Sequence, residues 1–361
     1  MKRSSSCKKQ GDFFLRVLCF GPGYSLSDAF ERWERNDYPG HLLYGVTKLN
    51  KYQITCLFPP KEKQNKWTKN VLIKGLFGSI AEQLWALKHT SRYDVIYATN
   101  ENELRLILYL KRFGLFRKSI VGMVHSFPDP CKISFPIKLW KLFYIHGLDG
   151  IGCLSPLAFS NLIKCDPSLR GRSEVILMGP EIVTHNASKK EKNYVVSAGK
   201  THRDFDTLCK AMKGLPCNLV LACPEEQLPA SLPDNVQYIG EDIPFATLNN
   251  LYAECLAIVI PVSMTSDAVT GLSSLADALG AGKPVIVAKT SGIGYEIDDW
   301  GCGITYDPGD ISALSDAIYT VCFDKYHRQA MLDAIKRVTK EVNLDSMACQ
   351  VSELIWKYSN V

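Results

Sequence analysis

The feature that most constrains this chain is an alternation of short apolar runs with amphipathic helical segments, carried out twice. "FLRVLCFG", "QITCLFPP", "YDVIYATN", "SIVGMVHSF" and "GIGCLS" have strand length, and helix-period segments such as "GSIAEQLWALKHT" and "NELRLILYLKRFG" lie between them. Apolar runs of roughly four to eight residues with no polar alternation read as parallel strands covered by helices on both faces. The pattern breaks at the polar "EIVTHNASKKEKN" and restarts with "YVVSAGK", "NLVLACP", "NVQYIG", "CLAIVIPV", "KPVIVAK" and "CGITYDP". The spacing therefore predicts an α/β protein of two Rossmann-like, doubly wound domains facing across a cleft. Their expected bounds are 11–180 and 194–340, with a linker at 181–193 and a C-terminal helix at 341–361 crossing back to the first domain. Such a pair leaves one natural ligand site, the crevice between the carboxyl ends of the two sets of strands.

Charge is divided between the halves. Residues 1–180 hold 27 Lys/Arg against 14 Asp/Glu, or +13, and residues 181–361 hold 15 against 23, or −8. A basic first half suits an anionic membrane surface, where each nearby cation contributes about 1 kcal/mol. Nucleic acid is not the expected partner, since zinc-finger spacing, RNP-like aromatic strings and basic zippers are missing. The 13 cysteines are odd in number and form no CxxC pair, as expected of reduced thiols in a cytoplasmic protein. The N-terminus resembles a secretion signal, but Arg16 interrupts its apolar run and Gly-Pro-Gly ends it, so it reads as a first strand. No apolar stretch approaches the roughly 20 residues of a spanning helix. The expected location is the cytoplasm, with peripheral contact at the inner face of the cell membrane.

Three stretches carry chemistry. In "TGLSSLADALGAGKPVIVAKTSG", Thr270, Gly271, Leu272, Ser273 and Ser274 precede or open a helix whose first amides have no internal partners. Phosphate oxygens can take those amides and hydroxyls, and Asp277, one turn farther in, can accept from ribose hydroxyls. The competing reading is ordinary capping by Thr270 or Ser273 and a solvated Asp277. In "SAGKTHRDFDTL", Lys200 and Arg203 leave a strand at its carboxyl edge, where a diphosphate needs cations. The alternative for Arg203 is a surface ion pair with a nearby acid. Asp204 and Asp206 imitate a metal-binding Asp-x-Asp, but residues i and i+2 of a helix point to different faces, and no metal is expected. His125 ends the fourth strand at the cleft edge, where it could meet a sugar hydroxyl. His41 opens a helix after a loop and ranks below it. "GPGY", with Gly23, lets backbone approach a ligand but lacks the third glycine of a dinucleotide fingerprint. "FPIKLWKLFYIHGL" places Trp140, Phe143 and Tyr144 with Lys132, Lys138 and Lys141, a stripe suited either to lipid headgroups or to core packing.

With "SAGKTHRDFDTL", "NVQYIGEDIPFATLNNLYAEC" and "GLSSLADALGAGKPVIV" in this order, the chain resembles family 4 of the nucleotide-sugar glycosyltransferases, retaining enzymes of the GT-B fold. The resemblance is dense over 195–320 and looser over 12–180. It implies that Lys200 and Arg203 hold the donor diphosphate and that Ser273 and Ser274 lie at the phosphate turn. Asp277 stands for the second glutamate of an E-x7-E motif, on the ribose. Ile239 and Gly240 flank the nucleobase, His125 lines the transfer site, and Gly23 belongs to a glycine loop near the phosphates. One departure is plain: Val269 occupies the place of the motif's first glutamate, and Asp267 and Thr270 do not restore it in register. The implied reaction moves a sugar, with retention, from a UDP- or GDP-linked donor to a saccharide or polyprenyl-diphosphate-linked acceptor, in bacterial surface-polysaccharide synthesis. It needs no cofactor or metal. The alternatives are a UDP-sugar 2-epimerase-like enzyme of the same fold and an inactive nucleotide-sugar-binding homologue.

Overall fold

The computed structural model describes residues 14–60, 71–182, 190–263, 270–289 and 293–359. The first sheet holds β1 (Leu15–Phe20), β2 (Ile54–Leu57), β3 (Val95–Ala98), β4 (Ser119–Val124), β5 (Gly150–Cys153) and β6 (Ser173–Val175), in the order β2-β1-β3-β4-β5-β6. The second holds β7 (Tyr194–Ala198), β8 (Asn218–Ala222), β9 (Val236–Tyr238), β10 (Ala257–Ile260), β11 (Val285–Ala288) and β12 (Gly303–Tyr306), in the order β12-β11-β10-β7-β8-β9. Neighbouring strands are parallel throughout both sheets. The apolar runs read from the sequence are these strands, and the physical reason is double-sided burial. Every residue of β3, β4, β5, β10 and β11 is buried, so no polar alternation can survive in them. Only β6, three half-buried residues long, has no such run to announce it.

Each sheet reverses direction of growth once. In the first, the chain goes from β1 outward to β2 and then returns to β3 on the other side of β1; in the second, β8 and β9 lie to one side of β7 and β10 to the other. The loops that leave β7 and β10 therefore diverge over a crevice at the switch point, the usual ligand position in such sheets.

The lobes are joined by two crossings that touch. Leu344 N donates to Pro180 O at 3.0 Å, and a Cβ on Gly179 would sit 2.0 Å from Asn343 O. Beyond the second crossing, the helix Leu344–Tyr358 starts with a capping box between Asn343 and Ser346 and lies on the first lobe. Its Met347, Val351, Leu354 and Ile355 enter the core of that lobe, and Trp356 Nε1 donates to Tyr52 O at 3.0 Å.

The aromatic stripe of the helix Phe135–Ile145 takes the core-packing alternative. Trp140 Nε1 donates to Tyr109 Oη at 2.8 Å, the Phe143 ring lies 5.7 Å from that of Phe113, and Tyr144 is fully buried. Lys141 is largely buried too, its pKa pulled down by that burial. These positions are 3–4 residues apart and form the inward face. Other residues of the helix, Phe135 (74% exposed) and Leu139 (59%), are exposed, as are Val71, Leu72, Phe113 and Leu115 elsewhere in the lobe. No helix among the described residues is long and apolar enough to cross a membrane.

Replacing Gly179 with Ala should force the two crossings apart and lower stability by about 1–3 kcal/mol. The measurement is the urea midpoint of the variant against wild type, and an unchanged midpoint would contradict the tight approach of Gly179 to Asn343.

Candidate functional site

Arg203 sits at the switch point of the second sheet. It follows β7 through a turn in which His202 has φ 51°, and Arg203 itself bridges to Val262, just past β10. Its Nη1 donates to Thr201 O at 2.9 Å and its Nη2 to Ser274 Oγ at 3.1 Å, while Nε is buried with no acceptor. Gly199 lets the guanidinium in, since a Cβ there would lie 2.8 Å from Arg203 Nε. Among the described residues no carboxylate lies within ion-pair distance of Arg203, so it is not the surface ion pair considered above. Burial pulls its pKa down from the ordinary arginine value. Cations are rarely buried unless paired, because desolvation penalises the charge.

Ser274 belongs to the helix Leu272–Gly280, whose N-cap is Gly271. Neither Thr270 nor Ser273 caps it: the N-cap has no side-chain hydrogen bond. Gly271 is required, because its φ is 91° and a Cβ would come 2.7 Å from Ile293 Cδ1. Residues 270–274, which carry the first-turn amides of this helix, line the crevice.

Across the crevice stand residues of the first lobe. A cleft of about 310 Å³ is lined by Lys200, Arg203 and residues 270–274 on one side, and by Tyr44, His125 and Met178 on the other. His125 Nε2 donates to Thr99 O at 2.6 Å, and its ring centroid lies 4.9 Å from that of Tyr44. A carbonyl only accepts, so Nε2 carries the proton and Nδ1 is left as an acceptor. Burial lowers the His125 pKa to about 4, and the ring is neutral at pH 7. Tyr44, Leu42, Leu154, Met178 and Thr201 also line the cleft and had no signal in the sequence. Tyr44 is held there in a left-handed conformation, with Tyr97 Oη donating to its carbonyl at 2.9 Å and Tyr24 Oη to that of Leu42 at 2.7 Å.

Of the remaining expected site residues, Lys200 lines this cleft and Gly23, Ile239, Gly240 and Asp277 do not. Lys200 spends its ammonium on Glu241, 2.6 Å away, a hydrogen bond that raises its pKa. Gly240, at φ 83°, is the turn that precedes Glu241, and Ile239 packs on the core of the second lobe. Gly23 has φ 91° and lies against Glu103, whose Oε1 would be 3.3 Å from a Cβ. Asp204 caps the helix Phe205–Met212 through Thr207, and Asp206 pairs with Lys210 at 2.6 Å, so each carboxylate has its own partner. Val269 and Asp267 lie outside the described residues.

Asp277 faces a second, smaller cavity of about 20 Å³ with His41, Glu181, Phe245 and Asn249. His41 Nε2, from the first lobe, is 3.4 Å from Asp277 Oδ1. Burial raises Asp277 to about 7 and lowers His41 to about 4. The sequence placed His41 at a helix start; it lies in the 3-10 turn Gly40–Leu43. Neither His41 nor Glu181 could be found from local pattern, because their partners lie on other elements.

Residues 180–338, the span of the second sheet and the helices around it, match the family described as "Glycosyl transferases group 1". The Anabaena protein Alr3699/HepE, in complex with UDP and glucose, superposes with a TM-score of 0.64 at 15% identity over 94% of this chain and 98% of that chain. Sucrose-phosphate synthase from Thermosynechococcus elongatus does so at 0.67 and 16% identity, over 95% of this chain and 98% of that chain. An E. coli structure described as trehalose-6-phosphate bound with UDP-2-fluoro glucose gives 0.65 at 11% identity, over 94% and 98%. No curated protein matches in sequence. The fold is GT-B, and the match over residues 180–338 supports the resemblance to nucleotide-sugar glycosyltransferases.

The paired shifts at Asp277 and His41 give a pH prediction. Between about 4 and 6.5 the folded protein keeps a proton on Asp277 that the unfolded chain has lost, and refuses one on His41 that the unfolded chain has gained. The two effects cancel over that window. Asp277→Asn removes the first, so relative to wild type the variant should lose stability as pH falls from 6.5 toward 4, by up to about 1.4 kcal/mol per unit. Urea midpoints of both proteins across that range test it, and parallel curves would contradict it.

Proposed function

We propose that this chain is a glycosyltransferase that moves a sugar from a nucleotide-sugar donor, with retention, to a saccharide or polyprenyl-diphosphate-linked acceptor. The observation that carries this reading is Arg203, a half-buried guanidinium whose Nε is fully shielded and whose partners are a carbonyl and a hydroxyl, beside the start of the helix Leu272–Gly280. A diphosphate would supply the missing negative charge to both. As the bond to the sugar lengthens, charge grows on the leaving nucleoside diphosphate, and donors already in place stabilise it without reorganising. In this reading Arg203, Lys200 and the amides of residues 272–274 meet that charge, and no metal or cofactor takes part. Lys200 exchanges Glu241 for phosphate at small cost, since half-exposed ion pairs contribute little.

His125, neutral and with Nδ1 as its acceptor, suits a donor-sugar hydroxyl and not a phosphate. Asp277 takes the ribose, and Ile239 and Gly240 border the base. The UDP and UDP-sugar ligands of the similar structures favour uridine over guanosine. Retention follows from attack on the face the diphosphate leaves, with a phosphate oxygen accepting the acceptor's proton. Domain approach would exclude water that otherwise hydrolyses the donor.

The first lobe is assigned the acceptor. Its exposed apolar residues Phe135, Leu139, Phe113 and Leu115 and its exposed Arg112 and Arg117 suit an anionic lipid surface, and a polyprenyl-linked acceptor in surface-polysaccharide synthesis would be met there. Such a protein works in the cytoplasm, at the inner face of the membrane.

Arg203→Lys keeps the charge and loses the two-pronged geometry; it should weaken UDP binding about tenfold or more in calorimetry. Affinity equal to wild type would remove the argument from Arg203. Pelleting with vesicles rich in anionic lipid at moderate salt should carry the protein down, and the double substitution Phe135→Ser and Leu139→Ser should leave it in the supernatant. Equal pelleting of both proteins contradicts the assigned face.

A further inference from the structure

The smaller cavity beside Asp277 is walled by a buried polar side chain without a partner. His41 is 3% exposed, and its Nε2 has no hydrogen-bond partner. The ring cannot relax to find one, because the backbone on both sides is fixed. Glu181 accepts from Gly40 N at 2.7 Å and from Trp33 Nε1 at 3.0 Å, and Tyr24 Oη holds the carbonyl of Leu42. A Cβ on Gly40 would lie 2.7 Å from the same Glu181 carboxylate, so the turn has no room to shift.

Across the lobe boundary, Asp277 is carried by a helix with six of its nine residues buried. Its Oδ1 stands 3.4 Å from His41 Nε2, about half an ångström beyond a good hydrogen bond. Between the lobes at this point is the cavity of about 20 Å³, with Asn249 and Glu181 on its wall. A space of that size admits one hydroxyl-sized group. An imidazole nitrogen without a hydrogen-bond partner, a carboxylate just out of reach and room for one hydroxyl together form an arrangement that a ligand completes.

We propose that His41 is a positioning residue of the donor site, a side chain of the first lobe that orients the Asp277 carboxylate toward the nucleoside. This rests on the reading of Asp277 as a nucleoside contact and adds to it a residue from the opposite lobe. Nucleoside recognition and the approach of the lobes then become one event, since the carboxylate reaches its full set of partners only when the first lobe supplies the imidazole. The phosphates, bound by Arg203 and the helix amides, do not depend on His41.

The test measures binding of UDP and of inorganic pyrophosphate by calorimetry to wild type, His41→Ala, His41→Gln, His41→Asn and Asp277→Ala. A glutamine amide nitrogen can stand near Nε2, whereas that of asparagine stands near Nδ1. His41→Ala should weaken UDP about tenfold and leave pyrophosphate unchanged, with recovery in His41→Gln and none in His41→Asn. Unchanged UDP affinity in His41→Ala, an equal loss for both ligands, or equal behaviour of Gln and Asn overturns the assignment; if His41→Ala does not fold, the Gln and Asn variants decide it. Asp277→Ala separates the two levels. Loss of UDP affinity there without loss in His41→Ala sinks the His41 inference alone, and retained affinity sinks the nucleoside reading of Asp277 and the inference with it.

Discussion

Arg203 joins the two loops that diverge at the switch point of the second sheet, one leaving β7 and one opening the helix Leu272–Gly280. Shielding part of a guanidinium from water without a carboxylate opposite it is unfavourable, and the carbonyl of Thr201 and hydroxyl of Ser274 offset only part of that. The surrounding sequence is arranged around this cation. Gly199 gives it space, Gly271 turns the chain so that helix amides stand beside it, and Ser274 is buried to receive it. Positive potential from the cation and the helix terminus is thereby concentrated in one crevice, and water there is displaced most favourably by an anion. The sugar-transfer reading is an extension of that single electrostatic circumstance.

A second constraint comes from the hinge. The two crossings between lobes are bonded to each other at Pro180 and Leu344, and Glu181 fastens the first of them to Trp33 and Gly40. The carbonyl of Glu181 also presses on the second lobe, where a Cβ on Gly280 would lie 2.5 Å away. Tyr44 and His125 of the first lobe face Arg203 across the cleft that these crossings bound.

How much of this the sequence disclosed follows from the range of each interaction. The strands of both sheets were legible because burial on two faces leaves continuous apolar runs, and β6 was not because an edge strand of three half-buried residues has none. Arg203, Ser274 and Gly271 were legible since a strand end and a helix start each have local signatures. Their mutual bond was not, because they are 71 residues apart. His41 shows the limit most clearly: its neighbours in the chain say only that a turn occurs, and its relation to Asp277 exists solely through the packing of two lobes. The stripe of Trp140, Phe143 and Tyr144 was ambiguous for the opposite reason. An inward-facing aromatic row and a lipid-facing one have the same period, and only the position of Tyr109 decides between them.

The helix Leu344–Tyr358 belongs by sequence to the end of the chain and by packing to the first lobe. On a ribosome, then, the first sheet emerges early but waits for its last covering layer until the entire second lobe has been made. During that interval the surface later sealed by Met347, Val351, Leu354 and Ile355 faces solvent or a chaperone. Severing the chain between the sheets would accordingly not give two self-sufficient halves: one would lack part of its core, and the other would trail an apolar helix with nowhere to dock.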